Sequence, residues 1–141
     1  EDNADVSPDG RWLAYQSNES GRYEIYVRPF PDVGSGRWQV STEGGTRPLW
    51  ARDGRELFYY VFPGTIVAVP IQAGSAFATG SPRPVFSGDY PAPTSLRAYD
   101  VSPDGQRFLL IKAAPGEAAA PPQLIVVQNW LEELKRLVPV D

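Results

Sequence analysis

Aspartate is the residue type in this chain best placed for chemistry. Asp5 and Asp100 each stand four residues ahead of a second aspartate, Asp9 or Asp104, that belongs to an Asp-Gly pair. Paired carboxylates can serve as acid and base or hold a hard cation. A third copy of the pattern breaks the set, because Leu49 stands four residues ahead of Asp53. No complete ring of carboxylates can form. The plainer role for Asp5 and Asp100 is that of solvated carboxylates bonded to backbone amides. Composition closes other routes. The 141 residues include no His and no Cys. That removes Ser–His and Cys–His nucleophilic pairs, disulfides, and thiolate or imidazole metal sites. No GxSxG element, phosphate loop or zinc-ligand cluster occurs. The chain reads as non-enzymatic, with no catalytic residue, metal site or cofactor.

The elements that position these aspartates follow from a turn used three times. It reads VSPDG at 6–10, WARDG at 50–54 and VSPDG at 101–105. Pro at the second place of SPDG presets φ, Asp bonds its own backbone, and Gly accepts a positive φ. This makes Asp9, Asp53 and Asp104 turn residues first, with metal binding as the sharper alternative. A spacing of about 45 to 50 residues between turns marks an array of one supersecondary unit. After each turn comes a strand-like run: RWLAYQS (11–17), RELFYYV (55–61) and QRFLLIK (106–112). Leu13, Leu57 and Phe108 coincide, as do Tyr15, Tyr59 and Leu110. A further strand follows at 24–30, 65–71 and 123–129, and two units add a fourth at 37–42 and 83–88. Short strands precede the turns near Ala4, Arg47 and Arg97. The prediction is an all-β chain of three four-stranded antiparallel units, at 1–45, 46–95 and 96–129. The third unit lacks its outer strand. There WLEELKRLV has helical spacing, which predicts a short C-terminal helix over 130–139 that caps the last sheet or binds a partner.

Four-stranded units of this length with an SPDG turn resemble blades of a β-propeller. The phrase VSPDGRWLAYQSNESGRYEIYVRPFP resembles WD-repeat-like blades of the TolB type. More narrowly it is similar to propellers C-terminal to bacterial serine/threonine protein kinases, as are WQVSTEGGTRPLWARDGRELFY and VVQNWLEELKRLVP. The resemblance implies a sensor or scaffold half of a larger bacterial protein, outside the cytoplasm if that parent is a membrane-anchored kinase. No kinase element is present in this chain. By analogy with propellers, ligands sit at the channel mouth. That face would carry Asn3, Arg47 and Arg97 at the starts of the first strands, with Asn18 and Arg22 from the loop between the second and third strands. Asp5 and Asp100 would lie just inside. Arg22 and Arg28 with Tyr23 and Tyr26 could add an aromatic and basic patch. Trp12, Trp38 and Trp50 read as strand packing.

Partners are bounded by charge and count. A net charge of −4 disfavours nucleic acid, and no apolar run is long enough to insert in a membrane. The absence of Met and the start at Glu1 read as an excised or processed piece, with targeting signals upstream. The partner, a protein or a small ligand, is not named by the sequence. Whole propellers have four to eight blades, so three leave two blade faces open. Self-association to complete a ring is the expectation. Two further functions compete with a scaffold: the gating propeller of a prolyl-oligopeptidase-like hydrolase, and a self-assembling fragment without activity of its own.

Overall fold

The computed structural model describes residues 2–73, 76–90 and 97–111. All of its regular structure is antiparallel β. Sheet one is β1 (Asp2–Val6), β2 (Trp12–Ser17), β3 (Glu24–Pro29) and β4 (Trp38–Gln39), in that order. Sheet two has β5 (Thr46–Trp50), β6 (Glu56–Val61), β7 (Thr65–Ala73), β8 (Phe77–Thr79) and β9 (Arg83–Ser87). A hairpin of β10 (Tyr99–Val101) and β11 (Phe108–Leu110) begins the third unit.

The expectation of four-stranded units holds for sheet one and needs correction in sheet two. Among the described residues the sheets have four, five and two strands, and they close no ring. The extra strand of sheet two comes from the length of β7. It runs past the start of β6, where Glu56 pairs with Pro70, and its last residues pair with β8 through Ile71–Thr79. β9 pairs the other half of β7, from Thr65 to Ala68. In sheet one the fourth strand shrinks to Trp38–Gln39. The strand expected over 123–129 and the helix over 130–139 lie outside the described residues.

Registers confirm which positions are equivalent. Asp5 pairs with Ala14, Leu49 with Phe58, and Asp100 with Leu109. Val6, Trp50 and Val101 follow in step, opposite Leu13, Leu57 and Phe108. The same turn sets each register. Gly10, Gly54 and Gly105 have φ of 70°, 69° and 70°, a region closed to most side chains. Asp9, Asp53 and Asp104 each accept the amide two residues on, from Arg11, Arg55 and Gln106. In the two SPDG turns the serine closes a second loop. Ser7 Oγ donates to Asp9 at 2.6 Å and accepts the Trp12 amide at 2.9 Å. Ser102 does the same between Asp104 and Arg107.

Sheet two is covered on both faces, which is why ELFYYV and TIVAV read as nearly unbroken apolar runs. Leu57, Tyr59, Val67 and Val69 face sheet one, where they meet Trp12, Ala14, Ile25 and Val27. Phe58, Tyr60, Ile66 and Ala68 face the hairpin and meet Tyr99 and Val101. Burying each large side chain of this set contributes about 1.5–3 kcal/mol. Phe77 of β8 joins the first interface, its ring 4.9 Å from Trp12 and 5.3 Å from Trp38. The extra strand thus seals one edge of the joint between the sheets. The two interfaces set β1 against β5 and bring the side chains of β10 onto β5, where Tyr99 and Val101 meet Leu49 and Ala51, which brings the candidate residues together.

Candidate functional site

The first strands of sheets one and two share a distortion. Asp2 pairs with Gln16 and Asp5 with Ala14, so three steps on β1 oppose two on β2. Thr46–Tyr60 and Leu49–Phe58 repeat this on β5. Each is a β-bulge, and each holds a non-glycine residue at positive φ: Asn3 at 50° and Arg47 at 56°. These two residues are equivalent in the repeat. A left-handed conformation costs a side-chain-bearing residue about 1–2 kcal/mol, so the surroundings must hold it.

Around Arg47 they do. Its amide donates to Gln16 Oε1 of sheet one at 2.8 Å. Its carbonyl accepts the Tyr99 hydroxyl of the hairpin at 2.6 Å. Its guanidinium lies over the Tyr60 ring, 5.6 Å from the centroid, and reaches Thr46 Oγ1 at 3.1 Å. Burial pushes the Tyr99 hydroxyl far above the usual phenol range, so it stays a neutral donor. Arg47 is itself buried, with its backbone clamped between both neighbours.

Asp5 ties the three units together. Its Oδ2 accepts the Trp50 amide at 2.8 Å, and its backbone carbonyl accepts Trp50 Nε1 at 3.1 Å. Its Oδ1 lies 3.8 Å from Arg97 Nη1, which also donates to the Pro48 carbonyl at 3.3 Å. Asp100, the equivalent residue, has no such cross-sheet hold among the described residues. Its Oδ1 turns back to accept the amide of Val101 at 2.8 Å. Val101 is the counterpart of Trp50, and its own preceding neighbour in sheet two is Leu49, which has nothing to offer an amide.

Five of the seven residues singled out from the sequence therefore meet. Asn3, Arg47 and Arg97 line an open cleft of about 280 Å³ with Ala4 and Pro48. Asp5, Arg97 and Asp100 line a neighbouring cleft of about 320 Å³, which also takes in Leu49 and Arg52. Arg97 belongs to both. The arrangement offers hydrogen-bond donors and a guanidinium to a carboxylate or a carbonyl-rich loop. Among the described residues no group of three or more carboxylates stands close enough to share a metal ion.

The other two residues lie elsewhere. Asn18 closes the β2–β3 turn through its carbonyl, which accepts the Gly21 amide at 2.9 Å. Arg22 is engaged by Glu24, a carboxylate only 1% exposed. Arg22 Nε donates to Glu24 Oε1 at 2.7 Å, and its Nη2 donates to the Thr42 carbonyl. Ser41 Oγ and the Gly44 amide complete the carboxylate's partners. Arg22 thus neutralises a buried charge. The expected patch of Arg22, Arg28, Tyr23 and Tyr26 is likewise divided. Arg28 Nε donates to the Tyr15 hydroxyl at 2.7 Å, and Tyr15 stacks on Tyr26 at 5.8 Å. Tyr23 is exposed.

Sequence reasoning missed Trp50, Gln16 and Tyr99 as the residues that hold this region. Trp50 stands where the other two repeats have Val6 and Val101, and its polar N–H was the available signal. A larger cleft of about 490 Å³ lies between the first two turns, against Asp9, Asp53, Trp12 and Trp50. Trp12 Nε1 is buried without a hydrogen-bond partner among the described residues, its ring packed edge-on against Trp38.

No protein-family model matches the chain, and no curated protein matches it. Among the described residues no helix is long and apolar enough to cross a membrane.

Proposed function

We propose that the chain is a run of three TolB-type β-propeller blades and works as a non-enzymatic binding scaffold. Its binding surface is the mouth formed by the first strands, and its partner presents a carboxylate, as an acidic protein loop does. The observation that carries this reading is the repeated bulge. Asn3 and Arg47 hold the same strained conformation at the same repeat position, and Arg97 joins them on one cleft. Strain of this kind persists where a fixed backbone serves recognition. Arg97 and the Asn3 amide are the first contacts, with the guanidinium of Arg47 behind them. The likeness of the SPDGRWLAY and EIYVRPFP phrases to kinase-linked propellers supports a place as the sensor or scaffold half of a larger bacterial serine/threonine kinase. Three blades fall short of a ring, which supports completion by further blades, from the same parent or from a second copy.

Titration of the isotope-labelled chain with a glutamate-rich peptide, followed by NMR, tests the binding surface. Saturable shifts at Asn3, Arg47 and Arg97, lost in Arg97→Gln, are expected. Absent shifts, or shifts confined to the β2–β3 turn, refute the assignment.

A further inference from the structure

The three Asp-Gly turns are alike in backbone and unlike in how they hold their aspartate. In each, the glycine amide donates to the carbonyl three residues back: Gly10 to Ser7 at 2.8 Å, Gly54 to Ala51 at 2.9 Å and Gly105 to Ser102 at 2.8 Å. Asp9, Asp53 and Asp104 are all exposed. Each accepts the amide two residues on, at 3.1, 3.0 and 3.0 Å.

Asp9 and Asp104 are held further. The serine that opens each turn donates its hydroxyl to Oδ1. That hydroxyl is itself aimed, because its oxygen accepts the amide of Trp12 or of Arg107 at 2.9 Å. Pro8 and Pro103 fix φ at the second place of the turn. The serine bond is the main reason that both carboxyls lie below the usual range, so both stay charged. The second turn has neither device. Ala51 stands in the place of the serine and Arg52 in that of the proline. Among the described residues, the Arg55 amide supplies the one hydrogen bond to the Asp53 carboxylate.

An aspartate followed by glycine is open to one reaction in particular, because glycine has no Cβ to shield its amide nitrogen. We propose that Asp53–Gly54 is a modification site at which this chain converts aspartate to isoaspartate, while serine and proline protect the other two pairs. The Gly54 nitrogen attacks Cγ of the protonated Asp53 carboxyl. An N–Cγ bond forms, and the amide proton and the carboxyl hydroxyl leave as water, which closes a succinimide. Water then adds to a ring carbonyl. Addition at the main-chain carbonyl breaks that carbon's bond to nitrogen and leaves the chain running through Cγ. Addition at Cγ restores aspartate. One water leaves and one enters, so the mass is unchanged. To react, the carboxyl must leave its donors, take up a proton and swing toward the glycine nitrogen, which must leave its own acceptor. The last requirement is common to the three turns; the others are met most readily at Asp53. The added main-chain methylene would disturb the turn that sets the register of β5 on β6, a strand buried on both faces.

The three pairs serve as controls for one another. The folded chain is aged at neutral pH and mapped by peptide mass spectrometry with electron-transfer fragmentation, which separates isoaspartyl from aspartyl residues of equal mass. Isoaspartate is expected at Asp53 about tenfold or more ahead of Asp9 and Asp104, the factor carried by one hydrogen bond to a charged group. In guanidinium chloride the three pairs are expected to react at similar rates. Ala51→Ser is expected to slow the reaction at Asp53, and Ser7→Ala to speed it at Asp9. Equal rates at the three pairs in the folded chain overturn the proposal. So does a preference for Asp53 that persists in denaturant, which would trace it to local sequence alone.

Discussion

Asp5 holds Trp50 twice, through its carboxylate to the backbone amide at 2.8 Å and through its carbonyl to the indole N–H at 3.1 Å. The two residues belong to different sheets and lie far apart in sequence. A buried amide that loses its acceptor costs about 1–3 kcal/mol. Asp5→Ala is therefore expected to lower unfolding free energy by about 2 kcal/mol and to expose Trp50. Urea titration followed by tryptophan fluorescence measures both. A change below a few tenths of a kcal/mol would mean that the contact carries no weight.

The bulge residue Asn3 should tolerate glycine and reject a β-branched side chain. Asn3→Gly keeps access to φ of 50°, so its stability should stay close to that of the parent. Asn3→Val should lose about 1–2 kcal/mol, the cost of placing a branched side chain in the left-handed region. Thermal unfolding of the two variants side by side reads the difference. Equal stabilities would show that the bulge does not hold that conformation in solution.

Glu24 and Arg22 should part company from the binding surface. Glu24→Ala strips the acceptor from Ser41, Gly44 and Arg22 and is expected to cost about 3 kcal/mol. Arg22→Ala should cost about 1 kcal/mol, since the guanidinium is more than half exposed. Arg22→Ala should leave glutamate-peptide binding unchanged. Weakened binding in that variant would return Arg22 to the site.

Alkaline stability should fall in a defined window. Burial, with Glu24 and Glu43 nearby, pushes the Tyr59 hydroxyl from 10.0 up to about 12. Below pH 10 the phenol is neutral in both states, and its full contribution is present. Above that the unfolded chain ionises first, so stability drops until pH reaches about 12. Tyr59→Phe should flatten this part of the profile without removing it, because burial also raises Tyr60 and Tyr99. Urea midpoints across the window test the sign; an unchanged slope in Tyr59→Phe would show that Tyr59 does not contribute.

Much of the fold was legible because one turn fixes each register. Aligning Gly10, Gly54 and Gly105 matched Asp5 with Asp100 and Leu13 with Leu57, and the pairing agrees. What failed to show depends on neighbours outside each repeat. β8 exists because β7 outruns β6, which no local pattern announces. The bulges at Asn3 and Arg47 are mismatches between paired strands, invisible in either strand alone. Arg22 looked free in a polar loop, yet Glu24, two residues on and within a strand of apolar residues, needed a cation. The partner of Asp5 was the hardest to see. A carboxylate ahead of a turn suggests bonding to backbone amides, and only the adjacent sheet shows that the amide is that of Trp50.

The central claim is that consecutive sheets join through their first strands, with Asp5 on Trp50 and with Asn3, Arg47 and Arg97 on one cleft. A crystal structure of the 141-residue chain tests it most directly. The account predicts the Asp5 carboxylate within hydrogen-bond distance of the Trp50 amide and both bulges opening on the same side. A structure in which sheets one and two meet through other faces, with Asp5 in solvent, would contradict it.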